Sequence, residues 1–175
     1  QLIPLTPSTS FDMTGGCGSV LERALMFAIL RRYKPLEPHL HELEILMIDT
    51  ATKGWDWWKQ VYEDRVEACD VKSNKEYCTV LLEKVDTFFN QEADLLESIH
   101  EVFQVIKREG IPGKRVDGAS KVIHKMRKMM AEISVDLMDA DLVIMDEFQR
   151  FPELINSDVE SESALLASKF FNSSK

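Results

Sequence analysis

Two adjacent carboxylates, Asp146 and Glu147, follow directly on the short apolar run Leu142-Val143-Ile144-Met145, which Asp141 precedes. A run this short and this apolar suits a strand buried on both faces in a parallel sheet. Ligands of open α/β sheets bind outside the carboxyl ends of the strands, so the two acids stand where phosphate chemistry is done. Phosphoryl transfer to water requires one carboxylate to hold the magnesium that bridges the nucleotide phosphates. It also requires a group that orients or deprotonates the attacking water. An apolar strand ending in Asp-Glu offers both, and a strand running into a solvated acidic turn reads the same way.

The residues around the pair narrow the choice. Asp146-Glu147-Phe148-Gln149 resembles motif II, the Walker B motif, of DEAD/DEAH-box helicases and translocases of superfamily two. The extension Arg150-Phe151 and the preceding Asp139-Ala140-Asp141 are similar to one bacterial branch of that superfamily. The resemblance implies that Asp146 holds Mg2+ through water, that Glu147 is the general base, and that Gln149 senses the γ-phosphate. Leu5-Thr6-Pro7-Ser8-Thr9-Ser10-Phe11 and Glu22-Arg23-Ala24-Leu25 look like the segment before motif II in the same branch. Thr6-Pro7 is loosely similar to the Thr-Pro of motif Ib, which contacts the nucleic-acid backbone. A hydroxyl and free amides at a helix start can bind a phosphate oxygen, yet Thr-Pro-Ser is also an ordinary turn.

The likeness covers residues 1–33 and about 115–172, and nothing between 34 and 112 matches a motif. It implies a mostly α chain with one or two short β-strands. In this reading 1–33 and 113–175 form a partial RecA-like α/β core, and 34–112 are a helical insertion within it. The chain opens on Gln1 rather than Met, which is expected of a segment of something longer. No Gly-x-x-x-x-Gly-Lys-Ser/Thr occurs in it. Gly15-Gly16-Cys17-Gly18-Ser19 lacks the lysine of a phosphate loop and no apolar strand leads into it, so it reads as a flexible loop and helix cap. The isolated chain is therefore expected to be inactive and to hold no cofactor. Mg2+, ATP, nucleic acid (DNA or RNA) and the remaining RecA-like segments belong to the parent protein.

Composition sets outer bounds. With 175 residues and 45% hydrophobic content the chain can bury one sizeable core. A net charge of -9 argues against a uniformly basic nucleic-acid surface without excluding a local patch. No apolar run approaches the roughly 20 residues that span a bilayer, and Gln1-Leu2-Ile3-Pro4 lacks the charged start and apolar core of a secretory signal. Cys17, Cys69 and Cys78 cannot all pair, as suits reduced thiols in a cytoplasmic protein.

The elements that must position the acids read mainly as helices. Ser19 and Glu22 form a capping box for a helix with Leu21, Ala24, Leu25, Ala28 and Ile29 on one face and Arg31 and Arg32 in its last turn. Pro35 and Pro38 end it, and a short helix follows over 40–48. Helices are expected over 51–69, 75–89, 91–108, 119–138 and 160–171, with one short strand around 2–5. Trp55, Trp58, Tyr62, Val66 and Cys69 share one stripe. Val122, Met126, Met129, Met130, Ile133 and Leu137 form the apolar side of the 119–138 helix. One strand cannot make a sheet alone: either 2–5 pair with 142–145, or the missing strands lie outside the chain.

Three further clusters carry chemistry in principle. His39, His41, Glu42 and Glu44 crowd together without a zinc spacing and read as surface residues at a proline turn. Trp55, Trp57 and Trp58 are either core or a stacking surface for unpaired bases. Lys121, Lys125 and Lys128 share a helix face opposite the methionines, either merely solvated or against a nucleic-acid backbone. A helical protein-interaction module without an ATPase role is the alternative to the helicase reading.

Overall fold

In the computed structural model, residues 2–5, 16–109, 111–137, 142–145 and 165 are described. They divide between two compact units, Gly16–Met129 on the one hand and Gln1–Gly15 with Met130–Lys175 on the other. The elements are β1 (Leu2–Leu5), α1 (Val20–Leu30), a 3-10 helix (Lys34–His39), α2 (Leu40–Ile48), α3 (Trp55–Lys72), α4 (Glu76–Gln91), α5 (Ala93–Glu109), α6 (Ala119–Asp136) and β2 (Leu142–Met145).

Ser19 opens α1 as a capping box: its hydroxyl accepts the Glu22 amide at 3.2 Å, and the Glu22 carboxylate accepts the Ser19 amide. Two of the orphan donors of a helix start are thereby satisfied. Seven of the eleven residues of α1 are buried, Met26, Phe27 and Leu30 among them. A helix apolar on nearly all sides belongs in a centre, and α1 packs along α3 while also meeting α2 and α4. The face expected from the sequence is corrected here. Leu21 is 38% exposed, and Arg23, Met26 and Phe27 are buried instead, because neighbours approach α1 from several directions.

Pro35 sits in the first turn of the 3-10 helix, where its missing amide removes no bond. Leu40–Ile48 is helical as a tightly buried segment, with Leu43, Leu46 and Met47 almost fully enclosed. α4 buries Leu81, Val85 and Phe89, and α5 buries Leu95, Ile99, Val102, Phe103 and Ile106, a three-and-four spacing that lines one stripe. α5 lies against α2 and α4. Each fully buried side chain of this kind contributes about 1.5–3 kcal/mol relative to exposure. Tyr33 ties the end of α1 to α4: its ring stacks on Phe89 at 5.4 Å, and its hydroxyl donates to Asp86 at 2.8 Å. Burial, reinforced by Asp86, pushes the Tyr33 phenol up to about 12.

In the other unit β1 and β2 pair in parallel, with Leu2 opposite Leu142 and Leu5 opposite Met145. This two-stranded pair is all the sheet among the described residues. The expected partial RecA-like α/β core carrying a helical insertion is therefore corrected: the fold is helical, with six α-helices among the described residues. Two four-residue strands offer too little surface to seat helices on both faces, which is what an α/β core requires. The helix-period burial of Gly16–Met129 supplies the core instead. Of the helix expected over 160–171 only Leu165 is among the described residues, and it is helical.

Candidate functional site

Asp146, Glu147, Gln149 and Thr6 lie outside the described residues. The strands that lead to them are described. β2 ends at Met145 and β1 ends at Leu5, and those two residues are register partners. Both strands run the same way, so their carboxyl ends share one edge of the pair. In sequence, Thr6-Pro7-Ser8 and Asp146-Glu147-Phe148-Gln149 follow from that edge.

Lys121, Lys125 and Lys128 fall on α6 within the helical unit. Lys121 is exposed, and Lys125 and Lys128 are half-buried. The apolar side of α6 opposite them holds Val122, Ile123, Met126 and Met129. Met130 is half-buried and Leu137 is 38% exposed, while Ile133, 3% exposed, is buried as expected.

The glycine-rich loop before α1 is not the free loop that its composition suggests. Arg127, 6% exposed, donates from Nη1 to the Gly16 carbonyl at 3.0 Å and from Nη2 to Glu22 Oε1 at 2.8 Å. Arg23, 3% exposed, donates to the carbonyls of Gly18 at 3.1 Å and Cys17 at 3.3 Å. The Cys17 thiol reaches Ser120 Oγ at 3.3 Å. Two buried guanidiniums thus clamp a loop whose carbonyls face them. A phosphate cradle requires the reverse, with amides turned toward the ligand. Burial pushes the Glu22 carboxyl up, and the Ser19 amide with Arg127 outweighs it, leaving its pKa below the ordinary value. Burial pulls the Arg23 guanidinium down against the opposing field of Asp49. Asp49 has a side chain 1% exposed that takes Arg115 at 3.4 Å. Sequence reasoning missed Arg23, Asp49 and Arg127. The available signal was a charged residue at helix positions otherwise filled by Ala24, Met26 and Phe27, or by Met126 and Met129.

The histidine cluster is a packing feature. His39 lies 5.5 Å from the His100 ring and 5.4 Å from Phe103, with Lys107 Nζ 3.4 Å from its Nδ1. Burial, then His39 and Lys107, hold the His100 pKa below its ordinary value. Glu44 accepts from Trp55 Nε1 at 3.0 Å and from Lys59 Nζ at 2.6 Å. Among the described residues no group of three or more His, Cys, Asp or Glu could hold a metal ion.

The tryptophans separate. Trp55 is core, edge-on to Phe27 at 5.9 Å, whereas Trp57 is 61% exposed and lies 4.6 Å from Trp58. The three cysteines are free thiols. Cys69 is exposed, while burial and a hydrogen bond with Asp70 push the Cys78 thiol up to about 11. A thiol reagent at pH 8 is therefore expected to modify Cys69 well ahead of Cys78, because the thiolate is the reactive form. Equal rates by mass spectrometry would contradict the buried Asp70 contact. No helix of the described residues is long and apolar enough to cross a membrane. Comparison of the chain with protein-family models, curated proteins and solved structures finds no match.

Proposed function

We propose that this chain is a piece of an ATP-dependent nucleic-acid helicase or translocase, carrying the magnesium-holding and water-activating half of its ATPase site. The observation that carries the reading is the in-register parallel pairing of β1 with β2. Neighbouring parallel strands open their carboxyl ends on one edge of the pair. The sequence continues from Leu5 with Thr6-Pro7 and from Met145 with Asp146-Glu147. The residues next in sequence after the two paired strand ends are thus a Thr-Pro and an Asp-Glu.

In this reading Asp146 holds Mg2+ through water, Glu147 takes the proton of the attacking water, and Gln149 senses the γ-phosphate. The oxygen donors of the acidic pair suit a hard cation. Thr6 meets the nucleic-acid backbone, and Lys121, Lys125 and Lys128 add a basic face whose affinity falls with salt. The parent works in the cytoplasm. The phosphate loop comes from the rest of the parent, since the 175 residues contain no Gly-x-x-x-x-Gly-Lys-Ser/Thr.

The test is ATP turnover by the intact protein with and without single-stranded DNA or RNA. Magnesium-dependent turnover that nucleic acid stimulates is expected, alongside no appreciable turnover by the 175-residue chain alone. An intact protein without turnover would remove the motor reading in favour of a helical interaction module. Turnover by the isolated chain would remove the division of the site between segments.

A further inference from the structure

We propose that the outward side of α3 is a platform for single-stranded nucleic acid, on which unpaired bases stack against Trp57 and Trp58 while Arg65 and Lys72 meet the phosphates. The proposal rests on the motor reading above and deepens it, by assigning the strand a place on the helical unit.

The aromatic side chains come first. A tryptophan 61% exposed is unusual where five other helices offer a core. Trp57 is not alone: Trp58 stands edge-on to it at an interplanar angle of 87°, and Tyr62 follows at 6.2 Å from Trp58. The Arg65 guanidinium sits 5.3 Å from the Tyr62 ring centre. Aromatic faces beside a guanidinium are what sequence-tolerant single-strand binding uses, because every base has a π-face.

Charge is sorted across the same helix. Helical spacing brings Trp57, Trp58, Val61, Arg65, Ala68 and Lys72 to one side. The only charges in that set are two cations. Three acids of α3, Glu63, Glu67 and Asp70, fall on the opposite side and are engaged there. Glu63 pairs with Arg31 and Glu67 with Arg32, both from the end of α1. Asp70 accepts the Cys78 amide at 2.9 Å, and Asp64, at the margin, accepts from Gln60 at 2.8 Å. Most of the acidic charge of α3 thus lies off this strip, which Asp56 and Asp64 border at Trp57. Eighteen helical residues extend about 27 Å, room for about four nucleotides, the short end of the usual site sizes. A hydrophobic protein partner is the poorer fit, since the strip offers two large rings and two cations instead of a continuous apolar patch.

The test uses the 175-residue chain without nucleotide. Tryptophan emission and fluorescence anisotropy are titrated with a labelled oligodeoxythymidylate of about 20 nucleotides, and with the same strand annealed to its complement. Quenching by the single strand is expected, with single strand preferred to duplex. Two phosphate contacts give a salt slope of about -1.4, and Arg65→Ala reduces it by about 0.7. Trp57→Ala is expected to weaken binding about tenfold while leaving the circular dichroism and melting curve unchanged, because its ring is mostly in solvent. No binding at low salt, a preference for duplex, or binding indifferent to both substitutions would overturn the platform. Binding that survives both and disappears on reversing Lys121, Lys125 and Lys128 would move the contact to α6. Since no ATP is used, these outcomes are independent of whether the intact protein hydrolyses it.

Discussion

Glu147→Gln in the intact protein is expected to lower ATP hydrolysis about 100- to 10,000-fold, the usual contribution of a positioned general base, while ATP still binds. The amide keeps the size and planarity of the carboxylate and cannot accept the proton of the attacking water at neutral pH. In the proposed motor, nucleotide affinity would come from the phosphate loop and the magnesium carboxylate, neither of which this substitution touches. Phosphate release and binding of a fluorescent ATP analogue, measured on the same preparation, separate the two effects. Near-normal hydrolysis would remove Glu147 from the base role, and with it the assignment of the acidic pair after β2.

Gly18→Val should destabilise the protein by about 2–4 kcal/mol, the sum of a β-branched residue in a left-handed conformation and a crowded site. Gly18 has φ +67°, and a Cβ there would lie 2.6 Å from Glu22 Oε2 and 2.8 Å from Arg127 Cδ. Those atoms cannot yield cheaply. Arg127 is buried and holds Gly16 and Glu22 at once, so moving it strands a buried charge. A drop in melting temperature of roughly 10 °C follows for a chain of this size. Gly16→Ala is the matched control. Gly16 also has positive φ, +53°, but open space around it, so it should lose only about 1–2 kcal/mol from backbone strain. Equal losses at the two positions would mean that the clamp around Gly18 contributes nothing.

Much of the local structure was legible because its causes are local. The Ser19 and Glu22 capping box, the proline break at Pro35 and the bounds Leu40–Ile48 each follow from residues a few positions apart. The stripe of α5 was legible for the same reason: its apolar residues recur at helical spacing and bury as a set. What failed was anything set by a partner distant in sequence. Leu21 carries the right spacing for a buried face and is left outside, whereas Arg23 is enclosed because Gly18 and Asp49 come to it. The loop at Gly16–Ser19 reads as free until Arg127 is placed beside it. Trp55 and Trp57 differ by two positions, and only the approach of Phe27 decides that the first is core. The RecA-like expectation failed on the same ground. Short motifs identify a chemistry, but they carry no count of the strands that surround them.

The pairing of β1 with β2 also dictates an order of assembly. Its two strands are separated by residues 6–141, and closing an unstructured loop of that length costs roughly 4 kcal/mol of chain entropy before any ladder bond forms. Four residues on each side cannot nucleate against that opposition. Collapse of Gly16–Met129 into its own compact unit, in which α1 packs along α3 and α2 along α5, removes most of the disorder from the intervening chain. The strand pair is thus expected to form late in folding, after the intervening chain is ordered.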